Sequence, residues 1–267
     1  MQNDPITQAP PVEIVVISLT RAVERRRAIQ RQFDELGVPF SFFDAVDGKL
    51  GHPLFTRFDG ARAKAIGEIP LTPGHLGCYA SHYLVWEQCV ADNRPLIVLE
   101  DDAVLFRDEF LDFLSIAPNL PASLACVRLF ANKSRKTRFV PVFEQNGVVI
   151  GKFLRGHRSA TGYFLTPDAA GKLLDYSKRW VEPVDIVMDQ FWANGVECHG
   201  VARACLTHDG EFESAIDFGV DTARERRGMM RARWRWYLFK GKLRRALHNL
   251  TFMLRHRQRA THATSNR

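Results

Sequence analysis

The stretch Pro95-Leu96-Ile97-Val98-Leu99-Glu100-Asp101-Asp102 constrains this chain more than any other. A short, branched, apolar run reads as a strand buried on both faces. It stops at three consecutive acids, which places them at the carboxyl edge of a sheet, where α/β folds bind ligands. In extended chain, residues two apart share a face, so Glu100 and Asp102 are expected to point one way and Asp101 the other. Two oxygen donors on one face suit a hard divalent cation such as Mg²⁺ or Mn²⁺. The same residues also fit a strand that leaves the core and caps the next turn with Asp.

The rest of the chain has the strands and helices that such a sheet needs. Glu13–Leu19 reads as a first buried strand, followed by a helix over Arg21–Leu36 with Thr20 as its cap and Gly37 at its end. Val38–Asp44 reads as a second strand, giving a βαβ opening, and Ala45-Val46-Asp47-Gly48 as a sharp turn. No glycine-rich phosphate loop is present, so neither a dinucleotide fingerprint nor a Walker motif is supported. Residues 49–70 read as an irregular flap near the site. Thr72 and Pro73 open a helix to about Asp92, whose Leu76, Tyr79, Ala80, Tyr83 and Trp86 form a core stripe; Ser81 and His82 sit beside it. A short helix over 106–116, a strand over 124–130 and a hairpin over 139–153 through Asn146-Gly147 follow. Next come a strand over Ser159–Leu165 with Gly162 as a bulge or close approach to ligand, a helix from Thr166 to about Lys178, a short helix over 186–192 and a last strand over 196–206.

Charge divides the chain in two. Its formal net charge is +7, yet residues 224–267 carry twelve Arg and two Lys against one acid, Glu225. Residues 1–223 are left with 23 bases and 29 acids. We therefore read a body over 1–223 and a basic tail over 224–267. Five cysteines without a framework spacing fit free thiols in a reducing compartment. No apolar run is long enough to span a membrane and no leader pattern opens the chain, so a cytoplasmic protein is expected.

Several separated pieces together resemble glycosyltransferase family 25, the group that includes bacterial lipopolysaccharide and lipooligosaccharide transferases and collagen galactosyltransferases. They are Ile17-Ser18-Leu19-Thr20-Arg21 with Arg25; Asp44-Ala45-Val46-Asp47-Gly48; Leu71-Thr72-Pro73-Gly74-His75-Leu76-Gly77-Cys78 with Ser81-His82; Leu99-Glu100-Asp101-Asp102; Thr161-Gly162-Tyr163 with Ala169 and Leu173-Leu174; and Pro183-Val184-Asp185. The resemblance covers about residues 13–216. It implies a GT-A-like α/β fold with a central mixed sheet, a UDP-sugar donor, often UDP-galactose, and a divalent metal, usually Mn²⁺. His75 departs from the pattern, where the family often has an acid, and receives no catalytic role.

Under that resemblance Glu100 and Asp102 take the metal-binding positions, with His208 as third ligand and Asp209 and Glu211 as its rivals. Leu19, Arg21, Arg25, Ala45, Val46 and Asp47, with Ser81 and Asp101, take the nucleotide-sugar positions; Asp101 alternatively holds a sugar hydroxyl or a helix start. Transfer with inversion needs one general base, and Asp185 is the first choice and Asp189 the second. For Asp185 a helix cap is an equal reading. A zinc site of Cys198, His199, Cys205 and His208 is disfavoured, because close ligand pairs are lacking. The implied reaction is metal-dependent hexosyl transfer to a lipopolysaccharide or other glycan. A catalytically inactive binding module of the same fold and a carboxylate-pair glycoside hydrolase are the alternatives.

The tail reads as a basic amphipathic helix over 231–259, with Trp236, Phe239, Leu243, Ala246, Leu247, Leu250, Met253 and Leu254 at helical spacing. Aromatic residues beside Arg suit an anionic lipid surface on the inner face of the cytoplasmic membrane. A helix packed on the body is the competing reading, and no specific nucleic acid is expected.

Overall fold

A computed structural model describes residues 12–130, 138–208 and 228–265. Among them an eight-stranded mixed sheet has the order β2-β1-β3-β8-β5-β9-β7-β6. The strands are β1 (Glu13–Ser18), β2 (Ser41–Asp44), β3 (Leu96–Glu100), β5 (Cys126–Arg128), β6 (Phe139–Gln145), β7 (Val148–Phe153), β8 (Gly162–Leu165) and β9 (His199–Val201). β4 (Ala103–Leu105) pairs antiparallel with β10 (Leu206–His208) in a separate ribbon. This is the α/β, GT-A-like architecture expected of the chain.

Period-two alternation sorts the sheet's side chains into two cores. Val15, Ile17, Leu96, Val98, Tyr163 and Leu165 face α3 (Pro73–Ala91) and α5 (Pro167–Tyr176). Ile14, Val16, Ile97, Leu99 and Phe164 face α1 (Val23–Leu36) and α4 (Arg107–Ile116). Burial on both faces explains why β1 and β3 read as unbroken apolar runs.

β1, β2 and β3 are mutually parallel, so Ser18, Asp44 and Glu100 end on one edge. β8 runs antiparallel to β3 with Gly162 opposite Leu99, which brings its entry, Thr161, to that same edge. The Glu100 amide donates to the Thr161 carbonyl at 2.9 Å. A Cβ at Gly162 would lie 2.4 Å from Leu206 Cδ2, so this glycine makes room for core packing rather than for a ligand.

Several local expectations change. Thr20 does not cap α1: the chain first makes a turn, with the Ala22 amide on the Leu19 carbonyl, and the helix starts at Val23 without a side-chain cap. The stretch 49–70 is not irregular. It holds a 3-10 turn, Pro53–Arg57, and α2 (Gly60–Ile66), capped by Asp59 and closed by left-handed Gly67. The expected last strand is two short ones, β9 and β10, because the chain leaves the sheet after Val201 and returns beside β4. The expected helix over 186–192 is likewise two pieces, α6 (Val184–Met188) and α7 (Phe191–Asn194).

The tail forms α8 (Gly228–Ser265), and one of its faces packs along the body. The Tyr237 hydroxyl donates to Glu182 at 2.6 Å, His248 pairs with Glu197 at 3.0 Å, and the Asn249 amide donates to the Leu154 carbonyl at 3.0 Å.

Candidate active site

Three acids occupy the carboxyl end of β3, and each has a different environment. The strand stops at Glu100, and Asp101 and Asp102 form the turn into β4, so strict alternation governs only the first pair. Glu100 faces α3. Asp101 faces α1, where it accepts from the Ser18 hydroxyl at 2.6 Å and from Arg25 at 3.1 Å. Asp101 and Arg25 thus tie the end of β3 to α1.

Glu100 ends a buried relay. Trp86 Nε1 donates to the Tyr163 hydroxyl at 2.9 Å, Tyr163 meets His82 Nδ1 at 2.8 Å, and His82 Nε2 meets Glu100 Oε1 at 3.2 Å. A carboxylate only accepts and an indole only donates, so His82 Nε2 donates to Glu100 and the Tyr163 oxygen accepts from Trp86. Burial alone would raise the Glu100 carboxyl, but the hydrogen bond and charge of His82, with hydrogen bonds from Thr161 and Cys78, outweigh it and hold Glu100 below the usual range. Cys78, His82 and Trp86 recur every four residues on α3, so one helical face reaches the acids. That spacing was the available signal for His82; its local setting reads as an ordinary core histidine.

Asp102 has no such partners. Its Oδ1 is buried and unpaired among the described residues. Burial, then the charges of Glu100 and Asp101, push its carboxyl up to about 7, with Arg25 opposing. A buried carboxylate oxygen lacking a donor, beside two more acids, fits a hard cation. His208, the last residue of β10 described, pairs in register with Ala103, next to Asp102. Asp209 and Glu211 lie outside the described residues.

Asp185 sits in the first turn of α6. Burial, then the charges of Asp189 and Glu100, lift its carboxyl to about 6 while the Ile186 amide opposes. Asp189 is engaged elsewhere: it accepts from the His157 and Arg158 amides at 3.1 and 2.7 Å and pairs with Arg128 at 3.4 Å. It pins the loop before β8.

The turn after β2 is built by close approach. Ser81 Oγ accepts the Val46 amide at 2.9 Å and donates to the Gly77 carbonyl at 2.8 Å, so Ser81 holds Ala45-Val46-Asp47 in place from behind. Arg21 bonds Asp47 at 2.7 Å across the mouth of the site, and Arg21 is more than half exposed. The Leu19 carbonyl accepts the Ala22 amide, which turns Arg21 outward from the end of β1. His75 completes a capping box with Thr72, the position where Glu or Gln serves the same purpose. Among the described residues, the donor groups within ligating reach of one another are Cys78-His82-Glu100 and His157-Asp189-Cys198. Neither the Cys198-His199-Cys205-His208 combination nor Glu100-Asp102-His208 is among them.

The family profile described as glycosyltransferase family 25 (LPS biosynthesis protein) matches residues 12–188, well over half the chain. The chain belongs to glycosyltransferase family 25. Similar proteins include a glycosyltransferase 25 family member of Drosophila melanogaster, 31% identical over 67% of this chain and 29% of its own length. The lipooligosaccharide biosynthesis protein lic2B of Haemophilus influenzae is 37% identical over 38% of this chain and 36% of its own. A mouse relative called inactive glycosyltransferase 25 family member 3 is 35% identical over 37% of this chain and 17% of its own. The chain thus spans at most about a third of the length of these relatives. The family match contains Glu100, Asp102 and Asp185; Asp189, His208 and α8 lie beyond it.

Proposed function

We propose that this family 25 chain is a metal-dependent, inverting glycosyltransferase that moves a hexose, galactose by preference, from a UDP-sugar to a lipopolysaccharide or other glycan acceptor. The observation that carries this reading is the unpaired, buried Asp102 oxygen beside Glu100, with Asp185 close enough to feel the charge of Glu100. Glu100 and Asp102 would hold Mn²⁺ or Mg²⁺, with His208 as third ligand. Bound there, the cation supplies charge neutralisation for a diphosphate leaving group.

The chain's own residues do the rest. Arg21, more than half exposed, and Asp47, mostly covered beside it, offer a donor and an acceptor to phosphate and ribose at the donor edge. Leu19, Ala45 and Val46 line that edge, and Ser81, Arg25 and Asp101 keep its walls in position. Asp185, with a carboxyl lifted toward neutrality, takes the proton from the acceptor hydroxyl as its oxygen attacks the anomeric carbon and the bond to the diphosphate breaks. We place the reaction on the cytoplasmic side of a membrane, where a lipid-borne acceptor is accessible.

The test is a screen of nucleotide sugars with Mn²⁺, following nucleotide release with and without chelator. Release that requires metal and disappears in Asp102→Asn and Asp185→Asn, with folding intact, supports the reading. Full activity in either variant removes that residue from the mechanism. Chelator-insensitive glycan cleavage would favour a hydrolase. Metal binding without any turnover would favour an inactive module, the description that the mouse relative's name carries.

A further inference from the structure

α8 has two faces, and among the described residues only one touches the body. Gly67 lies against Met230 and Trp234, Tyr237 holds Glu182, Arg245 lies over Trp192, His248 holds Glu197, and Phe252 receives the Lys152 ammonium at 4.7 Å. These inward residues recur at spacings of three and four. A second series does the same about half a turn away: Trp236, Phe239, Leu243, Leu247, Leu250 and Leu254, each between 53% and 58% exposed. On a helix with about 100° per residue, this series forms one outward stripe roughly 27 Å long.

The flanks of that stripe are cationic. Arg231, Arg235 and Lys242 fall on one side, Arg233, Lys240 and Arg244 on the other, and all six are exposed. From Gly228 to Ser265 there are ten Lys and Arg and no Asp or Glu. No helix among the described residues is long and apolar enough to cross a membrane. An apolar stripe of this size on a helix already anchored by its other face is not needed for folding. A row of aromatic and leucine side chains between two basic rows matches the depth profile of an anionic lipid surface, with acyl chains at the centre and headgroups at the rims.

We propose that the outward stripe of α8 is a docking surface for an anionic bilayer, with the helix lying flat and the body standing on its opposite side. Binding to lipid is measured without sugar transfer, so this surface and the transferase reading succeed or fail separately. The full chain should sediment with phosphatidylcholine–phosphatidylglycerol vesicles and stay in solution with phosphatidylcholine alone. Trp236→Ala with Phe239→Ala, or Arg231→Gln with Arg235→Gln and Lys242→Gln, should each weaken binding by about tenfold or more while circular dichroism is unchanged. Brominated acyl chains should quench Trp236 emission, and Trp236→Phe should keep most of the binding and lose that quenching. No partition onto anionic vesicles overturns the proposal. So does a concentration-dependent dimer that the Trp236→Ala/Phe239→Ala variant abolishes without any vesicle binding, which would assign the stripe to a second copy. Retention by duplex nucleic acid in place of vesicles overturns it equally.

Discussion

Tyr163→Phe tests the relay behind Glu100 most directly. The change removes one oxygen and leaves the ring, so it creates almost no cavity. That oxygen serves two groups: Trp86 Nε1 at 2.9 Å and His82 Nδ1 at 2.8 Å. Tyr163, Trp86 and His82 are each fully buried, so water cannot replace it. Leaving a buried polar group unpaired costs about 1–3 kcal/mol, and two such groups give a loss of about 2–6 kcal/mol. Urea unfolding followed by fluorescence should show a lower midpoint at unchanged slope. Combined with Trp86→Phe, the losses should couple by about 1 kcal/mol or more, because both variants break the same bond. The variant should also weaken Mn²⁺ binding measured by calorimetry, since His82 no longer presents its Nε2 proton to Glu100 in a fixed orientation. A stability loss below about 0.5 kcal/mol, the range of an ordinary surface change, would refute the relay.

Three further outcomes follow from the geometry. Asp185 works as a base only when ionised, so with its carboxyl near 6 the turnover of a metal-saturated enzyme should fall as pH drops through about 6; a pH–rate profile flat down to pH 5 would exclude that role. A Cβ at Gly77 would lie 2.6 Å from the Val46 carbonyl oxygen and 2.8 Å from the Gly48 amide. Gly77→Ala should therefore push the 45–48 turn off α3, costing about 1–3 kcal/mol in urea unfolding and raising the donor KM. Tyr237→Phe should destabilise the fold by about 1–3 kcal/mol and slow transfer while leaving vesicle binding unchanged; co-sedimentation and urea unfolding on the same preparation check it.

Much of this arrangement was legible because local chemistry and tertiary position agree. β1 and β3 are apolar on both faces in the sequence and in the fold. Thr72-Pro73 and Thr166-Pro167 cap α3 and α5 where cap-and-proline logic places them. The Asn146-Gly147 turn joins β6 to β7 with both residues at positive φ. What stayed hidden depends on long-range pairing. Nothing local says that Asp101 reaches Ser18 and Arg25, 83 and 76 residues away. Asp189 looks like Asp185's helical neighbour, and only the loop at 156–158 and Arg128 reveal that it is occupied. Gly67 reads as a loop glycine, yet it closes α2 and lets α8 approach.

The tail is where the sequence suggested two exclusive readings, body packing or lipid contact, and the helix packs on the body with one face while its opposite face keeps an exposed apolar stripe. Its inward contacts are not spread at random. Tyr237 and Gln190 both donate to Glu182, at 2.6 and 2.5 Å, and Tyr176 donates to Gln190 at 2.6 Å. Glu182 and Gln190 bracket α6, the five-residue helix that carries Asp185. A helix that short has little cooperativity of its own, so its position is set by what holds its two ends. The clamp on those ends includes α8. The segment bearing the candidate base is therefore braced by the same helix that presents the outward stripe, and loss of the tail would loosen the site as well as remove the surface.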